Sequence, residues 1–447
     1  MNLQKVTIEN FKCFKSKSEI DFGKITLLTG ANSSGKSSII YSILGAIQSG
    51  EFPFHFSTNG KYVNMGDYKN IVFNNLIDGK IKFSYEFKNI TTYVIETVWI
   101  EDKNNNLPKL FELKASSNFF NFSLTRLKEG FSIDYNYEPQ NNLGFDRENF
   151  EKFYTDLVNI FGEVDKNFFD SYSNTMKESI EVKGLVLDDI DEIFNRKVIF
   201  TKENHFALDH IFFTILHIFE NYLSQINFIS SFRHPPERTY LEHSRSKLEV
   251  NNYGDGYLDQ IIYWESKNKP KFNQLIKILK DLKLINSIRT KRLDGGRFEI
   301  AVQIKEGGIY TSLSDVGFGL SQFLPIIVAD LQLPDESTLF VAQPEIHLHP
   351  SVQSSFGGYL VNQVKTNSKN YVIETHSEYL LNKIRLAVVK GEIDQNDVKV
   401  LFIEDKIDGN EIHKITFNTD GQILNAPNNF FKTYMMDVME IAIQAAG

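Results

Sequence analysis

The chain has 447 residues, of which 42% are hydrophobic and 13% aromatic, so it can bury a large core and is long enough for more than one domain. Its formal net charge of −9 excludes a protein that coats nucleic acid with its whole surface, although it leaves room for a local basic patch. The single cysteine, Cys13, cannot form an internal disulfide, and no apolar run approaches the ~20 residues of a membrane span. Because the N-terminus also lacks a signal-peptide core, we expect a cytoplasmic protein without a membrane segment.

The first informative stretch is GANSSGKSS, residues 30–38. An apolar, β-branched run before it predicts a buried strand, and the apolar spacing after it predicts a helix. In this setting G-x-x-x-x-G-K-S predicts a phosphate-binding loop, in which glycines allow the turn and backbone N–H groups face a polyphosphate. Lys36 would bridge the β- and γ-phosphates, and the Ser37 hydroxyl would ligate Mg²⁺. The predicted ATP-binding residues of this loop are Gly30, Asn32, Ser33, Gly35, Lys36, Ser37 and Ser38.

The segment VTIENFKCFKS, residues 6–16, precedes this loop within a short run of alternating β-type residues. Together they resemble the N-terminus of ABC-type ATPase heads, the SMC, RecF and OLD group of AAA-like ATPases. The resemblance implies an α/β P-loop NTPase with a mixed central sheet, an antiparallel β subdomain, and ATP and Mg²⁺ as cofactors. It makes Lys12 and Phe14 candidates for phosphate and adenosine contacts, and the alternative is that both are ordinary hairpin residues.

Three segments are predicted. Residues 1–109 form an N-terminal ATPase lobe that contains the loop and several antiparallel strands. Residues 110–226 form a mainly helical insertion, because Phe145–Phe161 and Phe206–Ile226 have helical apolar spacing. The insertion lacks sustained heptads and is therefore not the long coiled-coil arm of an SMC protein. Residues 227–447 form a C-terminal ATPase lobe.

A glycine-rich turn at residues 314–319 opens an apolar helix in the C-terminal lobe. It resembles a divergent ABC signature, which in ABC-type heads binds the γ-phosphate held by the other subunit. The resemblance implies that Ser314, Gly317 and Gly319 make this contact in trans. Phe318 stands where the classical signature has serine, so the contact would depend on the backbone more than on a hydroxyl.

The stretch Ser337–Pro350 predicts a buried strand that runs into a loop, and it resembles a Walker B element. In that element a strand-end acid holds Mg²⁺ through water and its neighbour positions the attacking water. This chain has Ala342 at the acidic position and Gln343 next to it, so we expect impaired hydrolysis. Either Ala342 replaces an acid in order to trap nucleotide, or the ATPase is naturally degenerate; we prefer the first because the rest of the motif is intact.

The remaining candidates surround this element. Glu345 is the carboxylate left in the motif, and His376 follows a predicted strand as the switch histidine of the resemblance, placed to hydrogen-bond a γ-phosphate. His347 and His349 lack further ligands at metal spacing, so a D-loop at a subunit interface is the better interpretation. The predicted catalytic set is Gln343, Glu345 and His376, with Ala342 at the substituted acidic position.

Two other features leave alternatives open, and a third is decided. Arg233 and Arg238 either approach phosphates or form structural ion pairs. Residues 265–297 are locally basic and are either a nucleic-acid contact or a solvated helix face followed by a hairpin. Phe402–Glu404 is similar to the start of a Toprim nuclease domain, but too few residues follow for such a domain, so we expect no nuclease within the chain.

The predicted function is therefore that of an ATPase that forms a homodimer around two ATP molecules. By analogy with stand-alone members of the group, it would regulate a separate effector protein in bacterial anti-phage defence. The alternative is a RecF-like DNA-binding repair ATPase that uses residues 265–297.

Overall fold

The computed structural model describes residues 2–76, 78–89, 91–128, 130–138, 176–182, 206–241, 249–427 and 430. In chain order the strands are β1 (Asn2–Glu9), β2 (Ser18–Asp21), β3 (Ile25–Gly30), β4 (Ile81–Lys88), β5 (Thr92–Glu101), β6 (Pro108–Ser116), β7 (Phe120–Leu127), β8 (Gly130–Tyr137), β9 (Met176–Val182), β10 (Ile226–Ile229), β11 (Tyr240–Leu241), β12 (Ser287–Arg292), β13 (Arg297–Gln303), β14 (Tyr310–Ser312), β15 (Thr338–Ala342), β16 (Asn370–Glu374), β17 (Val398–Glu404), β18 (Glu411–Phe417) and β19 (Ile423–Leu424). The helices are α1 (Lys36–Gln48), α2 (Tyr68–Ile71), α3 (Phe206–Leu223), α4 (Tyr257–Lys267), α5 (Lys269–Asp281), α6 (Phe318–Gln332), α7 (Pro350–Asn367) and α8 (Glu378–Val389). Within the described ranges, no helix has both the length and the apolar character needed to cross a membrane.

The chain divides into two compact units. The first contains residues 1–12 and 42–223, and the second contains residues 13–41 and 224–447.

The first unit is organised around an antiparallel sheet whose strands pair in the order β1-β4-β5-β6-β7-β8-β9. Its strands alternate between buried and more exposed residues, as in β4, where Ile81, Phe83, Tyr85 and Phe87 are buried. Helix α3 contributes aromatic packing to this unit, because the ring of Phe219 lies 5.1 Å from that of Phe87 and 5.7 Å from that of Tyr85. Helix α3 thereby packs on one apolar face of the antiparallel sheet.

The range 110–138 corrects the predicted helical insertion. These residues complete β6 and form β7 and β8, so the antiparallel sheet continues past residue 109. The period-two pattern was present in the sequence: Phe120, Phe122 and Leu124 are buried and alternate with exposed or half-buried residues. The helix predicted from Phe206 is present as α3, whereas Phe145–Phe161 lies outside the described residues. The three-segment division itself stays a prediction.

The second unit contains a mixed sheet in the order β10-β15-β16-β3-β17-β18-β19. Strands β10, β15, β16, β3 and β17 are parallel, and β18 and β19 are antiparallel. All residues of β3 and β15 are buried, as expected for parallel strands covered on both faces. The carboxyl ends of β3, β15 and β16 lie side by side, so the loops that follow them share one edge of the sheet.

Helix α6 carries a buried polar cluster into the core of the second unit. Asp330, which has no exposed surface, accepts from the Tyr371 hydroxyl at 3.0 Å and pairs with Lys369 Nζ at 3.2 Å, and the Tyr359 hydroxyl also contacts it. The carboxylate is thus fully partnered inside an apolar core, as a buried charge requires. A smaller antiparallel sheet, β11-β13-β12 with β14 paired to β13, lies in the same unit.

Candidate functional site

The loop after β3 has the backbone of a tight phosphate-binding turn. Gly30 has a φ of +139° and Gly35 a φ of +95°, values that L side chains rarely adopt. A Cβ at Gly30 would lie 2.3 Å from the carbonyl oxygen of Ile403, and a Cβ at Gly35 would lie 2.2 Å from Cys13 Sγ. Both glycines are therefore required by close approach as well as by conformation.

Lys36 is the first residue of α1 and folds back over the loop. Its side chain is only 3% exposed, and Nζ donates to the carbonyl oxygens of Gly30 at 3.3 Å and Ala31 at 2.7 Å. Burial lowers the pKa of Lys36, while the charges of Glu374 and then Glu345 act in the opposite direction. A buried ammonium held by loop carbonyls can exchange these contacts for anionic oxygens.

Ser37, the predicted Mg²⁺ ligand, contacts a carboxylate that the sequence analysis did not single out. Its Oγ donates to Glu374 Oε2 at 2.7 Å. Glu374 is the last residue of β16 and is 6% exposed. The sequence does place Glu374 at the carboxyl end of a predicted strand. This position points to the site only once β16 is known to lie beside β3, the strand that precedes the loop.

Ala342 is the last residue of β15, as predicted, and it lies directly beside Glu374 in the parallel ladder. Gln343 follows with a left-handed backbone (φ +47°), and its N–H donates to the Glu374 carbonyl oxygen at 2.7 Å. The strand-end position is therefore confirmed, and its side chain carries no ligand atom. The catalytic role predicted for Gln343 stays a prediction.

Arg233 supports the backbone at this strand end. Its guanidinium donates to the carbonyl oxygens of Ala342 at 2.7 Å, Gln343 at 3.3 Å and Gln322 at 3.1 Å. Burial lowers the pKa of Arg233 to about 10, with Glu345 opposing this shift. Arg233 therefore makes structural contacts to carbonyl oxygens, which differ from the ion pair predicted as one of its two roles. Arg238 does form an ion pair, with Asp315 at 2.9 Å.

Glu345 joins the loop after β15 to the loop after β16. Its Oε1 accepts the backbone N–H of His376 at 2.6 Å, and its Oε2 accepts the Thr375 hydroxyl at 2.9 Å. Burial raises the pKa of Glu345, and these hydrogen bonds oppose the shift. The His376 imidazole is partly exposed, and partial burial followed by the charge of Lys36 lowers its pKa. Glu345 thus fixes the backbone that carries the switch histidine.

The signature region forms the start of α6, with Gly317 as its N-terminal cap. Gly317 is exposed and has open space where a Cβ would be. A Cβ at Gly319, by contrast, would lie 2.3 Å from the His347 carbonyl oxygen. Gly319 therefore has a packing reason within its own chain, and Gly317 is the better position for testing a contact in trans. Ser314 Oγ lies 3.1 Å from Ser312 Oγ.

The other predicted nucleotide contacts have different surroundings. Lys12 belongs to the first unit, where its N–H donates to the Ile71 carbonyl oxygen at 2.6 Å. Phe14 has no exposed surface, so it has no face with which to contact adenosine, and it instead packs behind Gly35. The Asn32 and Ser33 side chains are exposed at the loop, and Ser38 lies within the first turn of α1 near Cys13 Sγ at 3.9 Å.

Two features lie away from this edge of the sheet. Most basic side chains of residues 265–297 are exposed, whereas Lys271 contacts the Leu331 carbonyl oxygen and Arg289 stacks on the Tyr310 ring at 4.0 Å. Glu404 ends the segment that is similar to the start of a nuclease domain. Its carboxylate pairs with His413 at 2.9 Å and with Lys406 at 3.5 Å.

The buried β3 strand, the strained glycine loop and Lys36 at the start of α1 define a P-loop NTPase of the α/β class. A family described as the AAA ATPase domain matches residues 1–381. The chain therefore belongs to the AAA ATPase domain family, which confirms the predicted class of ATPase.

Solved structures similar to the chain are distant in sequence. The SMC head domain from Thermotoga maritima is 12% identical, with 93% of this chain and 99% of that chain covered and a TM-score of 0.36. An SmcHead bound to the C-winged helix domain of ScpA is 10% identical, with 93% and 98% covered and a TM-score of 0.42. An Smc head domain with an extended coiled coil, bound to the C-terminal domain of ScpA derived from Pyrococcus furiosus, is 10% identical, with 98% and 99% covered and a TM-score of 0.38. No curated protein matches the chain.

Proposed function

We propose that the chain binds and hydrolyses ATP with Mg²⁺ at the loop of residues 30–38. The observation that carries this proposal is the pairing of a buried Lys36, hydrogen-bonded to the loop carbonyls, with Ser37, hydrogen-bonded to Glu374. An ammonium and a helix N-terminus at one turn favour polyphosphate, and a hydroxyl beside a carboxylate favours a hard divalent cation.

The residues around the loop have separate tasks in this proposal. Lys36 exchanges the Gly30 and Ala31 carbonyl oxygens for phosphate oxygens. Mg²⁺, when bound, would neutralise part of the phosphate charge, and the Ser37 hydroxyl is an oxygen donor suited to it. Gln343 and His376 lie on the loops that would face the γ-phosphate and attacking water. Glu345 is a positioning residue, because it holds the His376 backbone.

We extend the proposal to a homodimer in which each subunit completes the other's site. Support comes from Gly317, which is exposed at the start of α6 with open space around it, and from Ser314 nearby. Such a pair would have two-fold symmetry, since each subunit supplies both a loop and a signature helix. Regulation of a separate effector protein in anti-phage defence, and a cytoplasmic location, are proposed by analogy with the ATPase group alone.

ATP binding is tested with Lys36→Met, which removes the ammonium and keeps a long side chain. Loss of charge-assisted hydrogen bonds of about 1.5–3 kcal/mol corresponds to an affinity weakened about ten- to hundredfold. The measurement is titration calorimetry with ATP, and Lys69→Met is the matched control because Lys69 is exposed on α2. Equal affinity for ATP in parent and Lys36→Met would show that the loop does not bind the triphosphate.

A second candidate function is nucleic-acid binding at the basic stretch. Exposed cations on α5 and β12 support it: Lys277, Lys280, Arg289, Lys291 and Arg292. Phosphate contacts would make duplex DNA affinity fall steeply with salt. The triple variant Lys277→Glu, Lys280→Glu, Lys291→Glu should remove that binding and leave ATP affinity unchanged. DNA binding that survives the triple variant would rule this surface out.

A further inference from the structure

We propose that Glu374 supplies the site carboxylate that Ala342 lacks, so that Ser37 and Glu374 together form the Mg²⁺-holding pair. This inference rests on the proposed function, since it requires ATP and Mg²⁺ at the loop. It assigns a role to a residue that lies one strand away from the position where the Walker B resemblance places the acid.

The first support is the register of the parallel ladder. Ala342 on β15 pairs with Glu374 on β16, and Glu374 pairs in turn with Leu28 on the loop strand β3. Neighbouring strands lie about 4.8 Å apart, and residues paired in register point to the same face of the sheet. Moving a carboxylate from position 342 to position 374 therefore keeps its level along the sheet and brings it one strand closer to the loop.

The second support is the direct contact. Ser37 Oγ donates to Glu374 Oε2 at 2.7 Å, so the carboxylate already meets the hydroxyl predicted to ligate the cation. A carboxylate has about four acceptor positions. Within the described part of the chain, Ser37 is the hydrogen-bond donor that reaches this one, which leaves acceptor positions for a cation or its waters.

The position of Ser37 in the fold agrees with this contact. Lys36 and Ser37 are the first two residues of α1, so the carboxylate that accepts from Ser37 Oγ lies beside the helix N-terminus where a bound polyphosphate would bring its cation.

Glu345 is less suited to this role. One of its oxygens accepts the His376 N–H and the other accepts the Thr375 hydroxyl. Recruiting it to the cation would release the loop that carries the switch histidine. These two carboxylates therefore have separate roles. Glu345 positions the loop that carries His376, and Glu374 accepts the hydrogen bond from Ser37.

The arrangement changes the meaning of Ala342. A glutamate at 342 would stand beside Glu374 in register, and two carboxylates that share a site repel one another. Ala342 avoids this repulsion. Its presence beside Glu374 is therefore explained without a substitution that traps nucleotide. Ala342→Glu alone should not strengthen the site.

The test measures cation affinity separately from turnover, with Mn²⁺ as the probe and electron paramagnetic resonance as the readout of bound ion in the presence of ATP. Glu374→Gln keeps an oxygen that can accept from Ser37 but removes the charge, and it should weaken Mn²⁺ about 10- to 100-fold. ATP affinity in EDTA should not fall, because the variant keeps Lys36 and removes a negative charge near the phosphates. Glu392→Gln is the matched control, because Glu392 is exposed after the end of α8 and this variant should keep parental Mn²⁺ affinity.

A carboxylate transplant keeps the test decisive. In Ala342→Glu with Glu374→Thr the acid returns to β15, and Mn²⁺ affinity should recover relative to Glu374→Thr alone, whereas Ala342→Glu alone should give no gain. Unchanged Mn²⁺ affinity in Glu374→Gln, with ATP still bound through Lys36, would overturn this inference and leave the proposed function standing. Failure of the parent chain to bind ATP in the presence of Mg²⁺ would overturn both.

Discussion

The guanidinium of Arg233 donates to the carbonyl oxygen of Ala342 at 2.7 Å, so the end of β15 is held by a buried cation. Arg233 is 3% exposed, and its other bonds reach the carbonyl oxygens of Gln343 and Gln322. One side chain thereby ties the strand end to helix α6. Removing it would leave three backbone acceptors without this donor.

Arg233→Met is therefore expected to destabilise the protein by about 3 kcal/mol, the scale of hydrogen bonds to a charged donor. Urea unfolding followed by fluorescence measures this loss. Arg238→Met is the control, because Arg238 is exposed in its ion pair with Asp315 and should contribute less than about 1 kcal/mol. Similar losses in the two variants would contradict a supporting role for Arg233.

Lys369→Met should also be strongly destabilising. It would leave Asp330 as a buried charge without its cation, at a cost of about 3–5 kcal/mol. Asp330→Asn in the same chain removes the charge but keeps an oxygen for the two tyrosine hydroxyls, so the double variant should recover much of the loss. Lys365→Met is the control, since Lys365 is exposed in the last turn of α7. A double variant no better than Lys369→Met would refute this account of the cluster.

ATP with Mg²⁺ is expected to convert the 51.5 kDa chain to a dimer. Gly317→Glu should prevent this, because an acid at the start of α6 repels the γ-phosphate of the other subunit. Gly317→Ala is the matched control, since a Cβ there meets open space and should keep the dimer. Light scattering with ATP and with ADP measures the mass. A mass that responds to neither nucleotide nor Gly317→Glu would exclude pairing through this helix.

His376 is expected to titrate below its ordinary pKa of about 6.5, because partial burial and then Lys36 disfavour its protonated form. Since the unfolded chain binds this proton more tightly, His376 reduces folding stability as pH falls through about 6.5, and the penalty is absent at higher pH. Lys36→Met should raise the midpoint. Histidine NMR measures it, with His376→Gln identifying the resonance. A midpoint that does not rise in Lys36→Met would show that Lys36 has no influence.

The local parts of the site were predictable from sequence because they are contiguous. The strand, turn and helix that hold Gly30, Gly35 and Lys36 follow one another within residues 25–48, and their spacing is the signal. Ala342 could likewise be placed at a strand end. These positions need no knowledge of how distant segments pair.

The parts that were missed depend on pairing between distant segments. Glu374 becomes informative only when β16 is known to lie between β15 and β3. The packing of Gly319 on the His347 carbonyl oxygen is equally invisible in a linear motif. The strands in residues 110–138 are a different case, because their alternation is visible in the sequence, whereas the helical spacing that predicts an insertion belongs to segments farther along the chain.

The close packing of Gly319 on the His347 carbonyl oxygen has a mechanical consequence. Helix α6 cannot shift its first turn toward this loop without displacing residues 343–347, since no side chain separates the two backbones. A movement of Gly317 therefore displaces the end of β15 and, through Glu345, the backbone of His376. In a homodimer, ATP bound in one subunit's site would thereby displace the strand end and the His376 backbone in the other subunit's site.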